Sequence, residues 1–145
     1  MNQQQSLEQI EASYWGEPPE DAPRLVKVCY DLRKKPINSL DTEEIRLLIS
    51  QEIGINYLID LAIKVLEKDI LVAGDFYPGD LLLTVLRIDS KAWLSQKALQ
   101  DKLHKLIKKQ INNLESSSIN QEIKDDLKKA IDNFLDSSVD SAITE

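Results

Sequence analysis

The carboxylates of Asp69, Asp75 and Asp80, gathered around Tyr77, come closer to a chemical constellation than any other side chains of this 145-residue chain. Loop carboxylates with neighbouring carbonyls can hold a hard cation, and a carboxylate pair can run acid–base chemistry as in glycosidases. Neither pattern is complete. The ligand spacing of a helix–loop–helix calcium site, with its closing Glu, is missing, and nothing in the sequence supplies a substrate cleft. His104 is the only histidine and Cys29 the only cysteine, so the two cannot assemble a zinc site by themselves. His104 sits among lysines, off the main apolar stripe, and reads as a solvated surface residue. Cys29 falls on a helical apolar stripe and reads as a buried, inert thiol, and a lone cysteine forms no disulfide within the chain. There is no glycine-rich phosphate loop, nucleophile elbow or dinucleotide fingerprint. Binding is therefore expected rather than catalysis, with no metal and no cofactor.

The elements that must position these residues read as helices. Leu7 and Ile10 suit a short opening helix ending near Ala12. Pro23 suits the first turn of the next helix, with Asp21 as its cap, and Leu25, Val28, Cys29 and Leu32 recur at helical spacing before Pro36 stops the run. Tyr30, Asp31 and Arg33 read as that helix's surface. Asp41 with Glu44 three residues on resembles a capping box. It opens a helix whose buried stripe is Ile45, Leu48, Ile49 and Ile53, and Gly54 is its left-handed stop. A helix from about Asn56 to Lys68 is apolar over much of its circumference and belongs at the centre. Asp80 is placed as the cap or first-turn acid of a helix carrying Leu81, Leu82, Val85, Leu86 and Ile88. A strand over 82–88 is the competing reading, disfavoured because no partner strand is in sight.

Two longer, more polar helices follow, with stripes Leu99 to Leu114 and Ile119 to Leu135. The Ser116–Ser118 run between them makes an αα-hairpin, to be packed on the main body or against a second copy. Lys102, Lys105, Lys108 and Lys109 form its solvated face. The fold class expected is all-α: one domain over 1–145, a compact multi-helix body with a C-terminal αα-hairpin over 95–145.

Charge narrows the partners. The net charge is −7. Sixteen acids face nine bases up to Asp89, whereas nine acids and nine lysines balance from Lys91 on. An acidic field disfavours nucleic acid and anionic membrane and favours basic partners. The start, Met1 to Gln5, lacks the charge and apolar run of a signal peptide, and no apolar run approaches a membrane span, so a cytoplasmic location is expected.

Two segments interrupt the helical pattern: Ser13 to Asp21 and Gly74 to Asp80. Each packs aromatics, acids, Gly and Pro into a stretch where a helix cannot persist. Tyr14, Trp15, Phe76 and Tyr77 are interface-forming types, and Glu17, Glu20, Asp21, Asp75 and Asp80 beside them would speed encounter with a basic partner. Trp15 and Phe76 are read as leaning to the core, and the acids as leaning to the surface. The candidate contact residues are Tyr14, Trp15, Glu17, Glu20, Asp21, Asp69, Asp75, Tyr77 and Asp80.

The stretch from about Leu7 to Trp93 resembles the immunity proteins of bacterial contact-dependent growth inhibition (CDI) systems. The resemblance is carried by Ser13-Tyr14-Trp15-Gly16-Glu17-Pro18-Pro19 and by Leu32-Arg33-Lys34-Lys35-Pro36 with Leu40. It continues in Ile45-Arg46-Leu47-Leu48-Ile49 with Gln51, Tyr57-Leu58 with Leu61-Ala62, Gly74 to Leu82, and Trp93. The segment Asp75 to Asp80 is its most specific piece. The resemblance implies a non-enzymatic protein that binds and blocks the C-terminal toxin domain of a CDI effector. Such toxins are often nucleases with basic substrate surfaces, which an acidic inhibitor can occupy with carboxylates in place of phosphates. The alternative is a non-catalytic helical adaptor or dimerisation module, using the C-terminal helices to form a homodimer.

Overall fold

Ser6 opens the first helix, α1 (Leu7–Glu11), through a capping box: its hydroxyl accepts the Gln9 amide at 3.3 Å, and the Gln9 side chain takes the Ser6 amide at 2.9 Å. This structure, a computed structural model, describes residues 4–143, with side chains through residue 136. The next helix, α2 (Arg24–Arg33), starts at Pro23 with no side-chain cap, so Asp21 does not perform the capping expected of it. A 3-10 turn (Ile37–Ser39) leads to α3 (Thr42–Ser50). Here the Asp41–Glu44 capping box forms in full, at 2.8 and 2.9 Å. Gly54, at φ 65°, ends the link to α4 (Ile55–Lys68). A Cβ there would come within 2.7 Å of the Leu7 methyl groups, so the bare glycine lets α1 seat on the α3–α4 turn.

The segment 80–88 resolves to helix: α5 (Asp80–Leu86). The short α6 (Ser90–Leu94) is absent from the sequence reading, because five residues carry too little periodicity to register. Asp89 starts it by accepting the Lys91 amide at 3.0 Å. The chain closes with α7 (Lys97–Ser116) and α8 (Gln121–Ile143). No strand occurs among the described residues, and the all-α expectation holds.

The core is built around α4, whose Leu58, Ile59, Ala62, Ile63 and Leu66 are buried. Helices α3, α5 and α7 pack on it. The short α5 buries six of its seven residues because α3, α4 and α8 close around it. The C-terminal hairpin thus docks on the main body, α7 against α4 and α8 against α5. Its stripes supply Leu103, Ile107, Leu127, Ile131 and Phe134 to the common core, and Trp93 meets Phe134 edge-on at 5.5 Å. At about 1.5–3 kcal/mol for each fully buried large apolar side chain, this docking is a substantial share of the fold's stabilisation.

Candidate functional site

Both non-helical segments are held by charged side chains on neighbouring helices. The first loop, residues 12–23, is held by Arg33 at the end of α2. Its Nη2 donates to Glu11 Oε1 at 2.9 Å and to the Ser13 carbonyl at 3.0 Å, and Nη1 lies 3.9 Å from Glu8 Oε2. The guanidinium lies under the Trp15 indole, 4.1 Å from the ring centroid, and Tyr30 meets that ring edge-on at 5.0 Å. The Trp15 amide donates to Glu8 Oε2 at 3.3 Å. Arg33 is only 1% exposed. The sequence reading placed it on the helix surface. The structure corrects this, because Arg33 closes the buried stripe of Cys29 and Leu32 at the point where the first loop crosses α2.

The second loop, residues 69–79, is held by carboxylates. Asp80, at the start of α5, accepts the amides of Gly74 at 2.6 Å, Phe76 at 3.1 Å and Tyr77 at 3.5 Å. Glu43 of α3 accepts the Asp75 amide at 2.9 Å. Arg46, one turn on, grips both Glu43 oxygens, Nε at 2.7 Å and Nη2 at 2.6 Å, and lies 4.0 Å from Asp80 Oδ2. Its guanidinium stacks on Phe76, 4.6 Å from the ring centroid. The Arg46 hydrogen bond holds the Glu43 carboxyl below its ordinary value against the cost of burial, and Glu43 in turn raises Arg46. At Gly74 a Cβ would crowd the carboxylates of Glu43 and Asp80, so any larger residue would push these two anchors aside. At Gly79, φ is 93° and a Cβ would lie 3.0 Å from Leu127, so α8 backs this loop directly.

Three expectations about these loops are corrected. Trp15 is 43% and Phe76 68% exposed, not core, because each ring lies over a guanidinium instead of entering the apolar interior. Asp80 is 3% exposed, not a surface acid, because the loop amides need its oxygens. The remaining candidates Tyr14, Glu17, Glu20, Asp21, Asp69 and Asp75 are exposed, and Tyr77 is half-buried. Asp69 accepts the Leu71 amide at 3.1 Å, and Glu17 pairs with Lys34 at 3.3 Å. Glu43 and Arg46 escaped sequence reasoning. Their i,i+3 spacing on α3 was visible, but nothing in the sequence tied them to a loop some thirty residues away.

An open groove of about 620 Å³ beside the second loop is lined by Arg46, Phe76, Leu83, Arg87, Lys91 and others. Burial pushes the Cys29 thiol up, in keeping with an inert buried group, and burial with nearby Lys108 pushes His104 down. Among the described residues no group of three His, Cys, Asp or Glu side chains could hold a metal ion. Likewise, no helix there is long and apolar enough to cross a membrane.

Residues 9–103 match the sequence model of a family described as CDI immunity proteins. The chain belongs to this family. The match runs from α1 into α7, so both charged loop anchors lie inside it, and α8 lies outside. Family membership makes this a toxin-neutralising immunity protein with a cognate toxin as its protein partner. Neither the curated proteins nor the solved structures contain a match to this chain.

Proposed function

We propose that this immunity protein neutralises the C-terminal toxin domain of a CDI effector by covering its active or substrate-binding surface. The toxin is a nuclease in this reading, and its basic face is met by carboxylates standing where phosphates would lie. The observation that carries it is the family match falling on the part of the chain that holds the acidic excess. Glu17, Glu20, Asp21, Asp69 and Asp75 are exposed there, unlike the buried Asp80, with Asp69 also accepting the Leu71 amide and Glu17 pairing with Lys34. Tyr14, Trp15 and Tyr77 are the accompanying aromatic contacts. Inhibition of this kind needs tight, slowly dissociating binding and no chemistry by the inhibitor, which acts in the cytoplasm of the toxin-producing cell.

The test is co-expression of the tagged chain with the C-terminal domain of the large adhesin-like protein encoded beside it. A stable complex and rescue of cells from that domain are expected. A toxin domain that kills cells despite this chain would refute the reading. Changing Glu17, Glu20 and Asp75 to Lys is expected to abolish protection with the helical signal intact. Asp80 is left out of that set, because its loss would disorganise the loop itself.

A further inference from the structure

Among the described residues, four of the six large apolar side chains that are exposed lie within thirteen residues: Tyr14, Trp15, Leu25 and Val26. Helical spacing places Val26, Tyr30 and Arg33 on one stripe of α2, and Trp15 lies against both Tyr30 and Arg33. Trp15 is therefore an aromatic side chain fixed in position, its ring supported by a buried cation beneath and an aromatic edge beside it, with a large part of its surface still in water. Ordering costs nothing further when such a ring is buried by a partner, which is the property of an interface anchor.

Charge on the first loop itself has one sign, and the exposed base beside it, Lys34 at the end of α2, pairs with Glu17 at 3.3 Å. Residues 14–23 contain Glu17, Glu20 and Asp21, all exposed, and no base. Arg24 and Lys27 share a stripe with Asp31, roughly a quarter to a third of a turn or more around α2 from Val26. The groove beside Phe76 differs. Arg46 there is committed to Glu43, and Arg87 and Lys91 are offset by Glu52 and Asp89 along the same walls. That groove thus presents no net sign to a partner.

We propose that the first loop and the adjoining stripe of α2 form the toxin-contacting face. Its occupant is a protein surface with an apolar recess for Trp15 and Val26, rimmed by lysine or arginine side chains. The second loop is scaffold in this assignment, which takes Asp69, Asp75 and Tyr77 out of the contact set. This rests on the immunity reading and narrows it to one side of the molecule.

The test measures association and dissociation of the full-length chain with a catalytically inactivated form of the neighbouring toxin domain. Trp15→Ala and Val26→Lys are each expected to weaken binding about 30-fold or more, mostly through faster dissociation. Val26 lies on the helix surface, so its variant keeps the fold even if loss of Trp15 loosens the loop. Combined Glu17→Lys, Glu20→Lys and Asp21→Lys is expected to slow association about 10-fold at low salt, with the difference shrinking at high salt. Asp125→Lys with Asp126→Lys on α8 is expected to stay within about 3-fold of the parent, the ordinary range for residues outside an interface. Tight binding by all first-loop and α2 variants, with unchanged melting temperature, would overturn the assignment, as would loss of binding confined to the α8 pair. A parent chain that ignores the toxin domain overturns the immunity reading and this face with it.

Discussion

The two loops use the same arrangement with opposite charges at its centre. In the first, a buried guanidinium collects a backbone carbonyl and two carboxylates, and Trp15 lies over it. In the second, the buried carboxylate of Asp80 collects three backbone amides, and Arg46 supports Phe76 from α3. A loop rich in Gly and Pro has orphan backbone groups of both kinds, and either sign of charge can satisfy them. The difference lies in what remains on the surface. The first loop is anchored by a cation, so its own acids Glu17, Glu20 and Asp21 stay in water. The second loop is anchored by an acid at its own end, so Asp80 is consumed internally. Acids that look equivalent in sequence therefore differ in what they can offer a partner.

The comparison breaks most sharply at Asp80. Asp80→Ala strips the acceptor from three loop amides and is expected to cost about 4 kcal/mol of unfolding free energy, read by urea or thermal denaturation. A loss below about 1 kcal/mol would mean that the second loop is not held by its carboxylate.

Arg33→Ala comes next, at about 3 kcal/mol, because it leaves Glu8 with little solvent and without its cation. It should also free Trp15, seen as a red shift and faster quenching of its fluorescence, while buried Trp93 reports little change. Equal shifts from both tryptophans would indicate global unfolding and blur the contrast.

The smallest effect sharpens the second loop's electrostatics. Glu43 has its folded-state pKa lowered, so its contribution is fully present above the unfolded value of 4.5 and is lost as pH falls below that toward the folded value. Glu43→Gln should therefore be about 1 kcal/mol less stable than the parent near pH 7, and the gap should close under acid. A gap independent of pH would show that the Arg46 pairing does not depend on the Glu43 charge.

Much of the helical framework was readable from local pattern. The Asp41–Glu44 box and the central position of α4 each follow from interactions within a few residues, or from a stripe that only one environment satisfies. The stop of α3 falls earlier than expected: Gln51 caps it and Glu52 takes the left-handed φ of 60°, while Gly54 leads into α4. Resemblance to the CDI immunity proteins was also legible, through the order and spacing of short pieces from Ser13 to Trp93, the segment Asp75 to Asp80 the most specific of them. Other features were not. The α2 stripe predicted burial for Leu25, which is 42% exposed. Arg33 looked like surface, since a cation on an apolar stripe has no meaning until the loop it supports is in place.

Sequence alone thus determined that the chain is helical, where its longer helices lie and which family it resembles, because those properties are encoded over a few turns. Tertiary structure decided which charges are internal anchors and which face water. Glu43 meets Asp75, Glu11 meets Arg33 and Leu127 meets Gly79 only when distant segments are brought together. An ionic group's role is set by the partner beside it and the water taken from it, and neither is a property of its neighbours in the chain.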